Sequence, residues 1–219
     1  MTVAVAGARE LVPLLARELR AGGDPSAVGE GWAPGAGAAV LVWVGAADRS
    51  VLRAAARAHV PIVGVTDGEP LPYVLDTRLV VVRPGEGFPL ARIARAVGRA
   101  VEAGWPALAA RLPVLRDELV RAAVRRQAVR AALAAARGRR VEVAPLLALA
   151  RGIAEAYGRP APALPPSRLL ERALARALRG RLPRRRLVRG AAAFVAVCAL
   201  GEGARRGLRP ARLLQFGSR

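Results

Sequence analysis

The sequence predicts an α/β protein, with a small, doubly wound and mostly parallel sheet of four or five strands followed by an all-helical domain. Two observations predict this class. Short β-branched runs alternate with helical periodicity in the first half, and helical periodicity alone follows in the second. The predicted limits are residues 1–103 for the α/β domain, 104–205 for the helical domain and 206–219 for a basic tail.

A strand, a tight turn and a helix open the chain. The run Thr2–Ala6 is apolar and β-branched, and Gly7 turns the chain. Glu10–Ala21 then carries leucines at helical spacing, with a proline near its start, where proline is tolerated. A Gly-rich segment follows, with at most a short strand around Ala27 and Val28.

The rest of the α/β domain alternates in the same way. Ala38–Val44 is a continuous apolar run, typical of a central strand buried on both faces. Asp48 is a suitable N-cap for the helix after it. The further predicted elements are a helix at Arg49–Ala58, strands at Pro61–Val65 and Arg78–Val82, and a helix at Pro89–Ala103. This alternation favours parallel strands joined by right-handed crossovers.

Only helical patterns remain after Gly104. Pro113 either starts a long helix or bends it away from Trp105–Leu112. The predicted helices are Val114–Arg137, Val143–Tyr157, Arg168–Leu182 and Leu187–Glu202. The apolar run Gly190–Gly201 is shorter than the roughly 20 residues that a spanning helix needs. The pattern leaves open whether this run is buried in a bundle or inserted in a membrane.

Basic residues are concentrated in the second half. The chain has 36 basic residues, all Arg, and 16 acidic ones, for a net charge of +20. Residues 1–103 hold 11 Arg and 10 acidic residues, whereas residues 104–219 hold 25 Arg and 6 acidic residues. A GC-rich genome explains Arg in place of Lys but not this excess. The asymmetry predicts an anionic partner for the second half.

The groups that several kinds of site require are missing. His59 and Cys198 are each the only residue of their type, so they provide neither a catalytic triad nor the four ligands of a structural zinc site. The turn from Gly7 to Pro13 lacks the second Gly, the Lys and the hydroxyl of a phosphate-binding loop. We therefore expect no catalytic residue, no metal and no cofactor.

Ligand candidates remain at the carboxyl ends of the strands, where open α/β sheets bind ligands. Gly7, Asp48 and Asp67 follow three of these ends, and the two carboxylates could hold a metal or a ribose. The structural alternatives are a helix N-cap for Asp48 and a turn residue for Asp67.

An arginine-rich surface is the stronger candidate. In the predicted helix Arg168–Leu182, leucines align on one face and arginines roughly opposite, and a basic run follows. The surface consists of Arg168, Arg172, Arg176, Arg179, Arg184, Arg185 and Arg186. A basic amphipathic helix is typical of a membrane-surface or protein contact, and a bundle helix with solvated arginines is the structural alternative. Nucleic acid ranks lower, because the second half has few aromatic side chains for base stacking.

The two halves together resemble a known arrangement. In strand and helix order, the first half resembles the G domain of Era-like bacterial GTPases. Leu112–Arg116, Ile153–Gly158 and Gly190–Glu202 resemble the uncharacterised helical domain often fused to such GTPases or found in small inner-membrane-associated proteins. Val65–Gly68 stands where the guanine motif would fall, and no Asp-x-x-Gly metal motif is evident. The resemblance implies a G-like domain without nucleotide chemistry, together with membrane association.

These observations predict a non-enzymatic, pseudo-GTPase-like scaffold whose helical domain docks on an anionic membrane surface or an acidic protein. A nucleotide- or small-phosphate-binding enzyme or sensor and a nucleic-acid-binding protein are the alternatives. We expect no signal peptide and a cytoplasmic location, with peripheral attachment to the inner membrane face left open.

Overall fold

The computed structural model describes residues 1–83, 85–139, 141–142, 144–159 and 186–206, with side chains from residue 190 onward in the last range. Contacts between Cα atoms divide the chain into two compact units, Met1–Ala122 and a second that begins at Ala123. The sequence predicted a limit after residue 103, whereas these contacts group residues 104–122 with the sheet. Each unit is described by itself below.

A five-stranded, all-parallel sheet forms the centre of the first unit. Its strands are β1 (Thr2–Gly7), β2 (Val28–Glu30), β3 (Ala38–Val44), β4 (Ile62–Thr66) and β5 (Leu79–Val81), in the order β2-β1-β3-β4-β5. The register pairs Gly7 with Val44, Val44 with Val65, and Thr66 with Val81. The carboxyl ends of β1, β3, β4 and β5 therefore meet at one edge of the sheet.

Helices connect and follow the strands. They are α1 (Val12–Arg20), α2 (Arg49–Arg57), α3 (Leu90–Ala100), α4 (Trp105–Arg111) and α5 (Pro113–Ala136), of which α5 continues into the second unit. A single 3₁₀ turn, Asp76–Arg78, precedes β5. Leu112 separates α4 from α5, because a residue before proline disfavours helical geometry and Pro113 suits a helix start.

Alternate strand residues face opposite sides of the sheet. One side holds a core cluster of Ala4, Ala6, Leu41, Trp43, Leu52, Ala55, Ile62 and Leu71, in which Leu52 and Ala55 come from α2. Trp32, between β2 and β3, packs against the same cluster. Because side chains alternate along a strand, the neighbouring residues face the other side of the sheet. These are Val3, Val5, Val40 and Val42, and all four are fully buried. Both faces are therefore covered, as the continuous apolar run of β3 predicts.

Arg111 ties α4 to the sheet. Its Nε donates to Oδ2 of Asp24 at 2.8 Å, Nη2 donates to the Ser26 hydroxyl at 2.8 Å, and Nη1 donates to the Met1 carbonyl at 3.0 Å. Close packing adds to this attachment, since a Cβ on Gly98 of α3 would lie 2.9 Å from the Glu118 carbonyl oxygen in α5. These contacts explain why residues 104–122 group with the sheet.

The second unit contains the rest of α5, α6 (Ala144–Ala156) and α7 (Arg186–Arg205). Helix α6 packs against α7. Gly190, Ala193, Val197 and Gly201 are buried at helical spacing along α7, whereas Val195 is 64% exposed. Gly201 lies against Val124 with no room for a Cβ. The run Gly190–Gly201 therefore buries one face inside this unit.

The predicted fold class is confirmed: a parallel α/β sheet is followed by helices. The segment around Ala27 and Val28, doubtful from sequence, leads into the short edge strand β2. Helix α1 begins at Val12 rather than Glu10. Residues 9–11 form a turn in which the Leu11 N–H donates to the Ala8 carbonyl at 3.0 Å, and Pro13 suits a helix start. The predicted helix Arg168–Leu182 and the tail from residue 207 lie outside the described residues.

Candidate functional site

The three predicted ligand turns lie at one edge of the sheet. Gly7 ends β1, the segment before Asp48 follows β3, and Asp67 follows β4. The strand order reverses at β1, so the point between β1 and β3 is where such sheets commonly bind ligands. The three turns therefore lie at the carboxyl ends of the strands, as the sequence predicted. What this edge can bind depends on which of its polar groups have no partner within the protein.

The turn after β1 is closed by protein contacts. The Ala8 N–H donates to the Val44 carbonyl at 2.8 Å, which extends the β1–β3 ladder. Gly7 has φ of +128°, and a Cβ at this position would overlap the Val44 carbonyl oxygen. A Cβ on Gly45 would likewise lie 2.9 Å from the Cβ of Ala8. No room is left between the ends of β1 and β3 for a ligand to lie against this backbone.

Asp48 caps α2. Its Oδ1 accepts from the Ser50 N–H at 2.9 Å, the Ser50 hydroxyl at 2.6 Å and the Val51 N–H at 3.3 Å. The Ser50 hydroxyl, and then the two backbone N–H groups, hold the pKa of Asp48 below its ordinary value. This geometry supports the N-cap interpretation of Asp48, because one carboxylate oxygen, Oδ1, binds the first N–H groups of α2.

Asp67 lies in a turn held by Thr66. Thr66 is buried, and its hydroxyl donates to the Glu69 carbonyl at 3.0 Å and accepts from the Gly68 N–H at 3.2 Å. Gly68 has φ of +126°, which favours glycine. The side chains of Asp67 and Glu69 are exposed and make no ion pair with any residue that the structure describes.

A cavity of about 730 Å³ opens beside this turn. Helix α1, the ends of β3 and β4, and the segment after β5 surround it. Its apolar lining includes Leu11, Leu14, Val44, Val65, Val82 and Phe88, and its charged lining is Arg17, Glu18, Asp67, Glu69, Arg83 and Glu86. Of the three predicted ligand residues, only Asp67 lines this cavity. We call it the edge cavity.

Sequence reasoning missed the contribution of α1 to the edge cavity. The buried side of α1 consists of Val12, Leu15, Ala16 and Leu19, whereas Leu14 is 45% exposed. Leu11 and Leu14 form a second apolar row, three residues apart. That second row could have indicated in the sequence that α1 also lines a cavity, because a helix that only covers a sheet needs one apolar stripe.

No metal site emerges from the part of the chain that the structure describes, since it contains no group of three His, Cys, Asp or Glu side chains that could hold an ion. His59 follows the end of α2, is exposed and has φ of +55°. Burial raises the pKa of Cys198, which disfavours a reactive thiolate.

The predicted arginine surface falls largely outside the described residues. This applies to Arg168, Arg172, Arg176, Arg179, Arg184 and Arg185, and to the side chain of Arg186, whose backbone begins α7. The division into compact units sharpens the charge asymmetry, however. Met1–Ala122 holds 14 Arg and 12 acidic residues, a net +2, whereas residues 123–219 hold 22 Arg and 4 acidic residues, a net +18.

Helix α5, with Arg137 directly after its end, presents a basic and apolar stripe in the second unit. Arg125, Val129, Leu133 and Arg137 follow at four-residue spacing, and Arg130 lies on the same side. All five are exposed, with Val129 at 42% and Leu133 at 50%. The three arginines make no ion pair with any described residue. We call these five residues the α5 stripe.

Comparisons with protein-family models, with curated proteins and with solved structures found no match to this chain. The resemblance to Era-like GTPases and their fused helical domain therefore stays a prediction. The function has to be argued from the geometry and charge of the chain itself.

Proposed function

We propose that this protein is a non-enzymatic scaffold, pseudo-GTPase-like in its first unit, whose arginine-rich second unit docks on an anionic membrane surface. The observation that carries the proposal is the α5 stripe, where exposed aliphatic side chains lie among arginines that lack ion-pair partners among the described residues. The net charge of +18 on residues 123–219 also favours binding to an anionic surface.

The mixture of side chains favours a bilayer interface over nucleic acid. Each Arg near an anionic bilayer contributes about 1 kcal/mol. Burial of the exposed half of an aliphatic side chain such as Leu133 contributes on the order of 1 kcal/mol more, and the bilayer interface supplies both environments. Nucleic acid would use the charges but offers little to Val129 and Leu133, since binding of single strands relies on aromatic stacking.

The mode of attachment in this proposal is peripheral. No helix in the described ranges is long and apolar enough to cross a bilayer. Helix α7 buries Ala193 and Val197 within the second unit, so these side chains are already occupied by protein contacts.

The first unit supports the non-enzymatic part of the proposal. The Ala8 N–H, which a phosphate-binding turn would direct at its ligand, is bound by Val44, and Pro13 has no N–H. Asp48 is bound by the start of α2. In this view the sheet serves as a stable support rather than as a nucleotide site.

Vesicle flotation tests the proposal. The full chain should float with vesicles containing anionic lipid and should not float with neutral vesicles. The triple variant Arg125→Glu/Arg130→Glu/Arg137→Glu should lose most of this binding. A second variant, Arg184→Glu/Arg185→Glu/Arg186→Glu, tests the surface predicted from sequence.

A matched control separates the α5 stripe from overall charge. Arg9, Arg49 and Arg57 are exposed arginines of the first unit without side-chain hydrogen bonds or ion pairs to described residues. Their change to Glu alters the net charge by the same amount. Equal loss of flotation in the α5-stripe variant and in this control variant would overturn the proposal. Equal flotation of the wild type on neutral vesicles, or no flotation at all, would overturn it too.

A further inference from the structure

The lining of the edge cavity carries a net negative charge in a strongly basic chain. Four carboxylates, Glu18, Asp67, Glu69 and Glu86, line it against two arginines, Arg17 and Arg83. The difference is −2, although the whole chain is +20. A cavity for phosphate would be expected to carry the opposite sign.

Both arginines of the cavity lie beside carboxylates. Arg17 is 4.0 Å from Glu18, and Arg83 is 4.0 Å from Glu86. Exposed pairs of this kind are weak, but each places an arginine next to a carboxylate of the lining. The charge that remains uncompensated within the described residues belongs to Asp67 and Glu69, two residues apart on the turn after β4.

The turn after β4 has few free donors for an anion. The Gly68 N–H donates to the Thr66 hydroxyl, and that hydroxyl donates to the Glu69 carbonyl. These two groups are therefore not free to hold a phosphate beside Asp67 and Glu69.

The remaining lining is apolar, and the volume suits a small molecule. Leu11, Leu14 and Phe88 provide hydrocarbon surface beside the charged rim. A volume of about 730 Å³ lies inside the range of ordinary ligand sites. The occupant has to combine positive charge with a hydrocarbon part.

We propose that the edge cavity binds a small organic cation, with its ammonium or guanidinium group at Asp67 and Glu69 and its hydrocarbon chain against Leu11, Leu14 and Phe88. This site goes beyond the scaffold function and rests on different residues. It also differs from the phosphate ligand that the position of the edge suggested from sequence.

Isothermal titration of the full chain tests this site with defined probes. The cationic probes are 1,6-diaminohexane, agmatine and spermidine; the matched probes are neutral 1,6-hexanediol, anionic adipate and inorganic phosphate. At least one cation should bind, and the neutral diol should bind at least about tenfold more weakly, because it lacks the charge that the carboxylates recognise. Adipate and phosphate report any binding of anions to the arginines, which should not change in the Asp67→Asn/Glu69→Gln variant. Absence of binding by every cation, or equally tight binding of the diol, would overturn the proposal.

A pair of double variants locates the binding. Asp67→Asn/Glu69→Gln removes two charges with little change of shape and should weaken cation binding by about tenfold or more. Asp76→Asn/Glu102→Gln removes the same charge from exposed residues that do not line the cavity, and should change it by less than about twofold. Equal weakening in both variants would show nonspecific attraction and overturn the assigned site.

The apolar part of the site has its own variant. Leu14 is 45% exposed, so Leu14→Ala should leave the thermal unfolding temperature nearly unchanged. It should weaken binding of 1,6-diaminohexane by several-fold, on the order of one lost apolar contact. Unchanged affinity in this folded variant would contradict the placement of the hydrocarbon chain.

Discussion

The Ala8 N–H donates to the Val44 carbonyl at 2.8 Å and joins the ends of β1 and β3. This bond places the first turn of the fold inside the hydrogen-bond ladder of the sheet. A turn that bound phosphate would point its N–H groups outward at the ligand. The strand order is that of a ligand-binding edge, but the N–H group of its first turn is hydrogen-bonded within the sheet.

Gly7→Ala should be strongly destabilising. Gly7 has φ of +128°, which costs a residue with a Cβ about 1–3 kcal/mol, and the Cβ would also overlap the Val44 carbonyl oxygen. Urea denaturation should show a lower midpoint for this variant. Gly29→Ala in β2 is the control, since nothing lies within 4 Å of a Cβ there, and equal effects of the two changes would contradict the closed turn.

Nucleotides should not stabilise the protein. A ligand at 100 times its dissociation constant raises the free energy of unfolding by about 2.7 kcal/mol, which thermal unfolding detects readily. We expect no shift with ATP, GTP or their diphosphates, with or without Mg²⁺, because the Ala8 N–H and Asp48 are already bound within the protein. A clear rise in the unfolding temperature with any of them would refute this.

Two leucines of α5 should separate folding from membrane binding. Leu119 is fully buried, so Leu119→Ala should cost about 2–5 kcal/mol of stability. Leu133 is 50% exposed, so Leu133→Ala should change stability by less than about 0.5 kcal/mol and yet weaken flotation on anionic vesicles. Undiminished flotation of Leu133→Ala would remove this side chain from the docking surface.

The pH dependence of stability should report the contact between Asp24 and Arg111. Hydrogen bonds from the Ser26 side chain first, and then from Arg111, hold the pKa of Asp24 below its ordinary value. The unfolded chain therefore takes up this proton at a higher pH than the folded chain does. The stabilisation is present above the unfolded pKa, at about 4, and is lost as the pH falls through the folded value.

Asp24→Asn should remove this contribution. Its denaturation midpoint should fall less steeply than that of the wild type as the pH decreases below about 5. Asp76→Asn is the control, since the Asp76 side chain makes no hydrogen bond to a described residue, and it should retain the wild-type slope. Parallel profiles for wild type and Asp24→Asn would contradict the prediction.

Most of the sheet could be predicted because its strands are marked locally. Ala38–Val44 was predicted to the residue, since a continuous apolar run needs no knowledge of its neighbours. Strand β2 has only three residues, and its pairing with β1 stabilises it, so local sequence alone left it doubtful. The attachment of α4 likewise depends on the contact of Arg111 with Asp24, which lies 87 residues away in the chain.

The position of the candidate site could be predicted from the sequence, but the groups that line it could not. Strand order put Gly7, Asp48 and Asp67 at the same edge. Sequence could not decide that the turn after Gly7 is closed, because the Val44 carbonyl reaches the Ala8 N–H only through the pairing of β3 with β1. The contacts of Asp48 with Ser50 and of Thr66 with Gly68 are local, and the sequence offered them as the structural alternatives. It also did not reveal the edge cavity, which is built from four separate segments.

By itself, the sequence determined the fold class, the absence of a phosphate-binding motif and the concentration of arginine in the second half, because periodicity, spacing and composition are properties of the chain alone. Only the tertiary structure decided that the first turn is closed and that the edge cavity is lined by more carboxylates than arginines. Both depend on groups that the fold brings together from distant parts of the sequence. The Asp48 cap is instead a local contact with Ser50 and Val51, which the sequence already offered as one interpretation. The tertiary structure also showed that Val129 and Leu133 remain exposed among arginines on α5, since burial is decided by packing and not by residue type.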